Sequence, residues 1–561
     1  MKLGVEVARD LARLQTTLIT MVGGPEGEAA HQQLQGHCRI ADKLRQSRDT
    51  EAEGGADAFA ECRTAELPGH LSEDLLADIP GGAKAVEELT VEGTSTIAGR
   101  LFRWLIRAIL AGDRPKVIIH GPGGCGKSHF IRAAVTALRN ARIPISITAP
   151  TGCAAFLING ATMHSRLALP ITNKSYGRAS DAPPPTGAPL QSLREYWRSV
   201  RLLVIDEFSM VSEETLRIID ARLQHVRGKQ GTPFGGLAII LSGDLYQLPP
   251  PGGLPLFDAQ VIWRLFHVVE LEGNHRAAED PVFAAMLARV RVGQPTKEDV
   301  QLLKTRWRRK WDDDIISSLS TRGAPALLPR RQQVAEENER ALSALAAHTK
   351  VDMFTCPAED TYAKNGHSSP PENSYPDAAD TGGLEMQFKI AEGARVMLRM
   401  NLDIPDGLVN GATGWVEQLD FDEDNIAVIG IWVRFDRGGK RWMDIHGTPA
   451  VLIQPHTAHF IGKLDSDRIR RIQFPLVLSW AKTIHKSQGA TESKGIMATL
   501  DRHAKSTPGL AYVALSRCQR LQDVHLRVFN EECIKAPPGE SRALAQLKLQ
   551  QVRIASTRDK A

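Results

Sequence analysis

A glycine-rich loop between a strand and a helix constrains the fold of this chain more than any other feature. The loop reads Gly121-Pro-Gly-Gly-Cys-Gly-Lys127-Ser128, after an apolar run that ends at His120 and before a helical stretch over residues 128–139. In such a loop, backbone N–H groups wrap a phosphate at the helix N-terminus, the lysine neutralises its oxygens and the hydroxyl ligates Mg²⁺. We therefore predict a phosphate-binding loop made of Gly121, Gly123, Gly124, Cys125, Gly126, Lys127 and Ser128.

Short apolar runs predict the sheet that carries this loop. They cover residues 116–120, 143–148, 202–205, 237–241 and 268–271, with helical stretches between them. Strands that alternate with helices in this way form the parallel sheet of an α/β domain. A length of 561 residues allows about three or four domains, each with its own core.

Two adjacent carboxylates predict the chemistry at this sheet. The buried run Leu202–Ile205 ends in Asp206 and Glu207. In a P-loop fold this end of the strand lies beside the phosphates, so Asp206, together with Ser128, can hold Mg²⁺ and Glu207 can polarise the attacking water. A pair of acids at this point indicates hydrolysis, because a small P-loop kinase has no need of a water-activating glutamate.

The order of the motifs resembles superfamily 1 helicases, in particular the 5′-to-3′ branch that contains the petite-integration-frequency (PIF) and RecD-like DNA helicases. The resemblance starts from the phosphate loop, the Asp-Glu pair and Leu241-Ser-Gly-Asp-Leu-Tyr-Gln247, and runs from about residue 115 to 528, most of the chain. Its other motifs include Thr148-Ala-Pro-Thr-Gly152, Thr162-Met-His-Ser165, Leu271-Glu-Gly-Asn-His-Arg276, Gly393-Ala-Arg-Val-Met-Leu-Arg-Met-Asn-Leu-Asp403, Leu408-Val-Asn-Gly411, Ile484-His-Lys-Ser-Gln-Gly489 and Ala511-Tyr-Val-Ala-Leu-Ser-Arg517.

The resemblance implies an α/β fold of two RecA-like P-loop lobes with parallel sheets and a small β-barrel-like insertion in the second lobe. The composition of residues 1–90, with Phe59 as their one aromatic residue, adds a weakly ordered N-terminal leader. An antiparallel unit near residues 412–472 is also indicated by the alternating run Ile426–Phe435 and a Gly438-Gly439 turn. The predicted divisions are a leader over 1–90, a first lobe over 91–262 with a wedge-like insertion at 166–192, a second lobe over 263–403 and 473–535, the β-barrel insertion over 404–472 and a C-terminal helix or tail over 536–561. For the Pro-rich insertion at 166–192, an ordinary surface loop is the open alternative.

The resemblance also implies the functional residues. Lys127, Glu207, Gln247, Arg276 and Arg517 are expected to act on the γ-phosphate, with the two arginines serving as arginine fingers when the lobes close. The strand-contacting residues are expected to be Thr151, Gly152, His164 and Ser165 in the first lobe and His485, Lys486, Ser487 and Gln488 in the second. Relatives usually carry a glutamine upstream of the phosphate loop that contacts adenine, and residues 70–120 contain none.

We therefore expect an ATP- and Mg²⁺-dependent DNA helicase that moves 5′ to 3′ on single strands and unwinds tailed duplexes. Its expected role is DNA repair, recombination or telomere and genome maintenance, and its expected state is a monomer. Two alternatives stay open: a decayed relative that binds nucleic acid without hydrolysis, and an RNA-directed helicase of the same superfamily.

Charge and cysteine content limit the cellular compartments and partners that the protein can have. Residues 1–90 carry nine basic and 16 acidic side chains, whereas residues 91–561 carry 60 basic and 49 acidic side chains. A basic helicase region therefore follows an acidic leader. We expect the leader to be either helical and weakly packed or disordered. Seven widely spread cysteines without a Cys-x-x-Cys pair fit a reducing compartment and no structural zinc. No apolar run reaches the roughly 18 to 20 residues that span a bilayer. We expect a soluble intracellular protein without a membrane partner, in the nucleus or mitochondrion if eukaryotic, by resemblance only.

Overall fold

The structure is a computed structural model that describes residues 82–87, 96–169, 185–250, 254–256, 260–308, 323–362, 384–424, 426–439, 449–461 and 468–537. Three predicted segments fall largely outside these residues: the leader apart from 82–87, positions 170–184 of the wedge-like insertion and positions 538–561 of the C-terminal helix.

Strands and helices alternate along the first half of the described chain, and strands dominate its later part. The strands are β1 (Lys116–His120), β2 (Ile145–Ala149), β3 (Ala161–Thr162), β4 (Leu202–Ile205), β5 (Ala238–Gly243), β6 (His267–Glu270), β7 (Ala326–Leu328), β8 (Phe354–Pro357), β9 (Glu359–Tyr362), β10 (Gln387–Ile390), β11 (Arg395–Leu398), β12 (Thr413–Phe421), β13 (Val428–Phe435), β14 (Val451–Ile453), β15 (His456–Ile461), β16 (Arg468–Gln473), β17 (Leu476–Leu478), β18 (Ala481–Thr483), β19 (Ile496–Leu500) and β20 (Val524–Phe529). The α-helices are α1 (Gly82–Glu87), α2 (Ile97–Leu110), α3 (Lys127–Asn140), α4 (Gly152–Leu157), α5 (Met163–Leu167), α6 (Gly187–Ser199), α7 (Glu213–Val226), α8 (Gln260–Trp263), α9 (Pro281–Arg291), α10 (Lys297–Thr305), α11 (Arg331–Thr349), α12 (Arg502–Lys505) and α13 (Leu510–Leu515).

The first parallel sheet has the strand order β3-β2-β4-β5-β1-β6. All of its neighbouring strands run parallel. One apolar core packs on the face covered by α2 and α3 and includes Leu105 and Phe130. A second core packs on the face covered by α6 and α7 and includes Trp197 and Leu216. Helices on both faces bury the central strands β2, β4 and β5 completely, which is why these strands read as continuous apolar runs in the sequence.

The second parallel sheet has the order β18-β7-β19-β20. Its main core joins the sheet to α9, α10 and α13 through residues such as Phe283, Leu303 and Val513. On another part of the sheet, Val334 of α11 packs against a smaller cluster that includes Ala326 and Met497. The predicted fold of two parallel-sheet lobes is therefore confirmed.

An antiparallel unit is inserted between β7 and β18. Its largest sheet has the order β14-β13-β12-β11-β17, and its core includes Val396, Ile431 and Val433. A three-stranded sheet, β15-β16-β9, and the pair β10-β8 complete the unit.

Strand pairing extends two of these regions beyond the predicted divisions. β6 pairs with β1 and so belongs to the first sheet, although the division at residue 263 assigns it to the second lobe. β11 and β17 belong to the antiparallel sheet, although both lie outside residues 404–472. The reason is that sheet membership depends on hydrogen bonds between distant segments, which composition along the chain does not reveal.

Candidate functional site

The carboxyl ends of three adjacent strands assemble the candidate nucleotide site. β1 leads into the phosphate loop, β4 into the Asp206-Glu207 pair and β5 into the segment that contains Gln247, and β5 lies between the other two. Parallel strands bring their carboxyl ends to one edge of the sheet, where ligands bind in open α/β folds. A cavity of about 240 Å³ at this edge is lined by Gly123, Gly124, Gly126, Lys127, Ser128, His129, Asp206, Glu207, Gln247, Arg276, Gly489 and Arg517.

The phosphate loop adopts the backbone that its glycines permit. Gly124 and Gly126 have φ values of +84° and +95°, and Gly126 is the N-cap of α3. The ammonium of Lys127 donates hydrogen bonds to the carbonyls of Gly121 at 2.7 Å and Pro122 at 2.8 Å. The loop thus holds a cation and a helix N-terminus at the mouth of the same cavity, a combination that attracts phosphate.

Two predicted loop residues serve the loop rather than line the cavity. A Cβ atom on Gly121 would lie 2.4 Å from the carbonyl oxygen of Leu271, so this position needs glycine for packing. Cys125 is buried, and burial raises the pKa of its thiol. Both therefore shape the backbone that surrounds the cavity.

Glu207 is held in an unusual conformation beside Asp206. Its φ of +51° lies in the left-handed region, which non-glycine residues rarely adopt and which costs on the order of 1 to 3 kcal/mol. Burial raises the pKa of both carboxyls, and their mutual repulsion raises that of Glu207 further. Within the described residues, Glu207 Oε2 is buried and accepts no hydrogen bond. This is the environment of a carboxylate adapted to take up a proton.

The oxygen donors at the cavity fit Mg²⁺. Ser128 and Asp206 both line it, and Mg²⁺ is commonly held by one or two protein oxygens while phosphate oxygens and water complete its shell. In the described part of the chain no group of three or more His, Cys, Asp or Glu side chains is arranged to hold a metal by itself.

Both predicted arginines line the cavity, and each is anchored by the second lobe. Arg517 is almost fully buried and donates to the carbonyls of Val513 at 2.8 Å and Ala490 at 3.0 Å. Arg276 donates through Nη1 to the carbonyl of Ser516 at 2.9 Å. Burial lowers the pKa of Arg276 to about 10, so it stays cationic at neutral pH.

Arg276 itself comes from the first lobe, not the second as its predicted assignment implies. It follows β6, and the neighbouring His275 N–H donates to the carbonyl of Gly124 at 2.8 Å. A Cβ atom on Gly124 would lie 2.6 Å from Cβ of Arg276, so the two segments are in direct contact. The guanidinium of Arg276 is therefore positioned by the phosphate loop on one side and by the Arg517 segment on the other.

The second lobe also reaches Glu207. Gln488 Nε2 donates to Ser209 Oγ at 3.1 Å, just beyond the Asp-Glu pair. Gly489 has a φ of +80°, and a Cβ atom there would lie 3.3 Å from Glu207 Oε1. The segment predicted to contact a nucleic-acid strand thus abuts the nucleotide site at its far end.

The four predicted strand contacts of the first lobe follow the ends of β2 and β3, which are neighbours in the sheet. Thr151 caps α4, its hydroxyl accepting from Ala154 N–H at 3.3 Å, and Thr162 caps α5 in the same way through Ser165 N–H. Gly152 is buried, whereas His164 and Ser165 are half-buried at the start of α5. Burial lowers the pKa of His164, which favours a neutral imidazole.

The four predicted contacts of the second lobe divide into two pairs. His485 and Lys486 are exposed in the turn after β18. Ser487 is fully buried and its hydroxyl donates to the carbonyl of Ile484 at 2.8 Å, while Gln488 faces Ser209. The structure therefore does not expose Ser487 for strand contact, because the turn directs this side chain inward to the carbonyl of Ile484.

The first lobe meets both the antiparallel unit and the second lobe near these segments. Asn401 and Asn410 lie between β11 and β12 of the antiparallel unit. Cys153 Sγ donates to the carbonyl of Asn410 at 3.2 Å, and a Cβ atom on Gly152 would lie 2.4 Å from Asn401 Oδ1. Lys486 and Cys153 are close enough to affect each other's pKa. The predicted first-lobe and second-lobe contacts therefore share one face.

Two cations on this face were not among the predicted strand contacts. Although the Lys486 side chain is exposed in part, the protein around its ammonium removes some of its hydration, and this desolvation, with the nearby Arg399 and Arg331, lowers the pKa of Lys486 to about 8. Three cations thus lie together beside one carboxylate, Glu385. Arg399 lies inside the family motif Gly393–Asp403, and that was the available signal; Arg331 had none.

Known proteins resemble this chain over most of its length. A family model described as PIF1-like helicase matches residues 99–300. An ATP-dependent DNA helicase PIF1 of Xenopus laevis is 30% identical over 493 residues, which cover 86% of this chain and 69% of the relative. An ATP-dependent DNA helicase Pif1 of Bdellovibrio bacteriovorus is 31% identical, over 75% of this chain and 86% of the relative.

The chain belongs to the PIF1-like helicase family. Among solved structures, a Bacteroides Pif1 helicase in complex with ADP-AlF3 and single-stranded DNA superposes with a TM-score of 0.61 at 25% identity, covering 82% of this chain and 98% of that one. The family and enzyme class predicted from the motifs are therefore confirmed.

In this PIF1-like helicase, the predicted catalytic and metal-binding residues lie around one cavity that is formed by both lobes. Within the described residues, no helix has the length and apolar character needed to cross a membrane. The residues that sequence reasoning missed are buried polar partners behind the phosphate loop: His120, Asp244, Arg291 and Tyr512. Asp244 and Tyr512 lie inside family motifs, which was a signal, whereas His120 and Arg291 had none.

Proposed function

We propose that this PIF1-like helicase hydrolyses ATP with Mg²⁺ and uses the energy to move 5′ to 3′ along single-stranded DNA and to unwind tailed duplexes. The observation that carries the proposal is the single cavity that joins Lys127, the two acids, Gln247 and both arginines. The name of the relatives, ATP-dependent DNA helicase, agrees with it.

The residues divide the work of hydrolysis among them. Lys127 neutralises the β and γ oxygens of ATP, and Ser128 and Asp206 hold Mg²⁺, which when bound neutralises charge on the phosphates. Glu207 accepts a proton from the attacking water. Burial raises the pKa of its carboxyl, and the raised pKa favours this proton transfer. Gln247 contacts the γ-phosphate, and the guanidinium groups of Arg276 and Arg517 stabilise the charge that spreads over the transferring phosphoryl.

Contacts between the lobes link hydrolysis to movement. Arg517 and Gly489 belong to the second lobe and line a cavity whose floor belongs to the first. Closure on ATP therefore assembles the site, and release of phosphate removes the charge that holds it closed. A strand bound across both lobes advances with each cycle of closure and reopening. Phosphate and sugar contacts hold the strand without reading its sequence, so the movement does not depend on the base sequence.

The strand-binding residues that we propose are Thr151, Gly152, His164 and Ser165 in the first lobe, His485 and Lys486 in the second lobe, and Arg399 beside β11 of the antiparallel unit. Ser487 and Gln488 act through the backbone and through Ser209. The cellular role that we propose, DNA repair, recombination or telomere maintenance, comes from the family resemblance.

The test is strand-stimulated ATPase and duplex unwinding by the full chain. We expect Lys127→Ala to lose at least about 100-fold in kcat, because the lysine faces charge in the transition state. Lys304→Ala removes an exposed lysine whose partner is Glu531 and serves as the matched control. Equal activity of Lys127→Ala and wild type would contradict the proposal.

Further arms separate the alternatives. Turnover that Glu207→Gln abolishes and Glu531→Gln retains excludes a binding protein without hydrolysis. Stronger ATPase stimulation by DNA than by RNA of the same sequence excludes an RNA-directed enzyme. Unwinding that requires a 3′ tail instead of a 5′ tail would overturn the direction of movement alone.

A further inference from the structure

A buried tyrosine from the second lobe hydrogen-bonds the phosphate loop. Tyr512 is 3% exposed, and its hydroxyl accepts from the Gly123 N–H at 3.0 Å. The same hydroxyl donates to Asp244 Oδ2 at 3.2 Å. One O–H group thus uses its lone pair on the loop and its proton on a fully buried carboxylate.

Arg291 balances the charge of this carboxylate. Its Nη2 lies 2.9 Å and its Nε 3.1 Å from Asp244 Oδ1, and its guanidinium lies 4.6 Å from the centre of the Tyr246 ring. Burial raises and Arg291 lowers the pKa of Asp244, with a net decrease, so the carboxylate is ionised at neutral pH.

A neutral histidine completes the cluster. His120 Nε2 lies 2.9 Å from Arg291 Nη2, and burial lowers the pKa of His120 to about 3. Glu270 is the other acid nearby, with Oε1 3.8 Å from Arg291 Nη1. The charge of Arg291 is therefore balanced by Asp244 and Glu270, and His120 adds no charge. In a buried site, leaving one of these charges without its partner would be costly.

This network crosses from one lobe to the other. Gly123, His120 and Asp244 lie at the ends of β1 and β5 of the first sheet. Arg291 ends α9 and Tyr512 lies in α13, and both helices pack in the core of the second lobe. The network is therefore made only when the second lobe sits against the phosphate loop.

Tyr512 is also tied to the two arginine fingers. α13 leads directly into Ser516 and Arg517, and the Ser516 carbonyl accepts from Arg276. A Cβ atom on Gly123 would lie 3.3 Å from Arg276 Nη1 and 3.8 Å from Tyr512 Oη. A shift of α13 relative to Gly123 would therefore move both guanidinium groups relative to the phosphates.

We propose that Tyr512 is a positioning residue that locks the phosphate loop to the arginine-bearing segment, and that the Asp244–Arg291 pair orients its hydroxyl for this purpose. The Tyr512 hydroxyl makes one hydrogen bond as an acceptor, from Gly123, and one as a donor, to Asp244. Both bonds form together only when the second lobe is closed against the phosphate loop. The proposal rests on the ATP hydrolysis proposed above and adds the device that sets the arginines for it.

The test compares Tyr512→Phe with Tyr196→Phe. Both remove one buried hydroxyl, and that of Tyr196 lies 3.1 Å from Ser146 Oγ inside the first lobe, away from the phosphate loop. ATPase kcat and KM, the melting temperature, and the affinities for ADP alone and for ADP with aluminium fluoride are measured for both variants and wild type.

We expect kcat of Tyr512→Phe to fall about tenfold with KM changed less than about threefold, because the lost bonds act on the transition state. Its affinity for ADP with aluminium fluoride should fall in parallel, while its affinity for ADP alone and its melting temperature should match those of Tyr196→Phe. A kcat within about twofold of Tyr196→Phe would overturn the proposal.

A second variant tests the role of the carboxylate. If Asp244 acts through Tyr512, the double variant Asp244→Asn with Tyr512→Phe should have the same kcat as Asp244→Asn alone. If the double variant instead loses kcat by the product of the two single losses, the two residues act independently. If Asp244→Asn does not fold, the comparison of the two tyrosines still decides the role of Tyr512. A wild type without ATPase would refute the proposed function itself, and an active wild type with an equally active Tyr512→Phe would refute only this inference.

Discussion

Gly489→Ala should slow ATP hydrolysis through Glu207, the proposed catalytic carboxylate, because this glycine faces Glu207 from the other lobe. A Cβ atom at 489 would lie 3.3 Å from Glu207 Oε1, so the carboxylate or the loop must move by a few tenths of an ångström. The backbone there has a φ of +80°, which costs a non-glycine residue roughly 1 to 2 kcal/mol.

The two effects can be separated by a control with the same backbone strain and open surroundings. Gly112 has a φ of +92°, and a Cβ atom there would have no described atom within 4 Å, so Gly112→Ala should lose stability without touching the site. A misplacement of about 1 Å can cost about 100-fold in rate, so a shift of a few tenths should lower kcat of Gly489→Ala about three- to tenfold. The assays are steady-state ATPase with single-stranded DNA and thermal unfolding of both variants.

The result that would refute this reasoning is specific. If Gly489→Ala and Gly112→Ala lose similar stability and both keep wild-type kcat, then the contact with Glu207 does not limit hydrolysis. If both lose kcat equally, the loss follows from stability and not from the carboxylate.

Three further predictions concern the strand-binding face. Gln488→Leu removes the hydrogen bond to Ser209 and should lower the ratio of DNA-stimulated to basal ATPase turnover about threefold; an unchanged ratio would exclude this link. The pKa of Lys486 is lowered to about 8, so its side chain is a cation at pH 7 and mostly neutral at pH 9. Affinity for single-stranded DNA, measured in fluorescence anisotropy titrations, should therefore fall about tenfold from pH 7 to pH 9. Lys486→Arg, which stays charged, should remove this pH dependence. Gly152→Ala places a Cβ atom 2.4 Å from Asn401 Oδ1 and should weaken DNA binding about tenfold by displacing the antiparallel unit from the first lobe, as measured in the same titrations.

Local sequence patterns were sufficient for the nucleotide site because its parts are local. The phosphate loop, the Asp206-Glu207 pair and the segment before Gln247 each follow a buried strand, and the parallel sheet brings these strand ends together. The resemblance added the two arginines, which the cavity also contains.

The exposure of the proposed strand-binding residues was harder to predict, since it depends on the turn that carries them. Lys486 and Ser487 are adjacent in the sequence, yet the first is exposed and the second is fully buried. Sheet membership was predicted only in part: the apolar run 268–271 is counted with the first sheet, which the pairing of β6 with β1 confirms, but the division at residue 263 places it in the second lobe.

The sequence by itself indicated the phosphate loop and the first parallel sheet, because these depend on a short glycine pattern and on apolar runs, and the order of its motifs indicated the family and, through the resemblance, two lobes. Only the tertiary structure decided that Arg276 comes from the first lobe, that Gly489 abuts Glu207 and that Tyr512 joins Gly123 to Asp244. The physical reason is distance along the chain. Tyr512 and Gly123 are separated by 389 residues, and a hydrogen bond between them exists only after both lobes have folded and met.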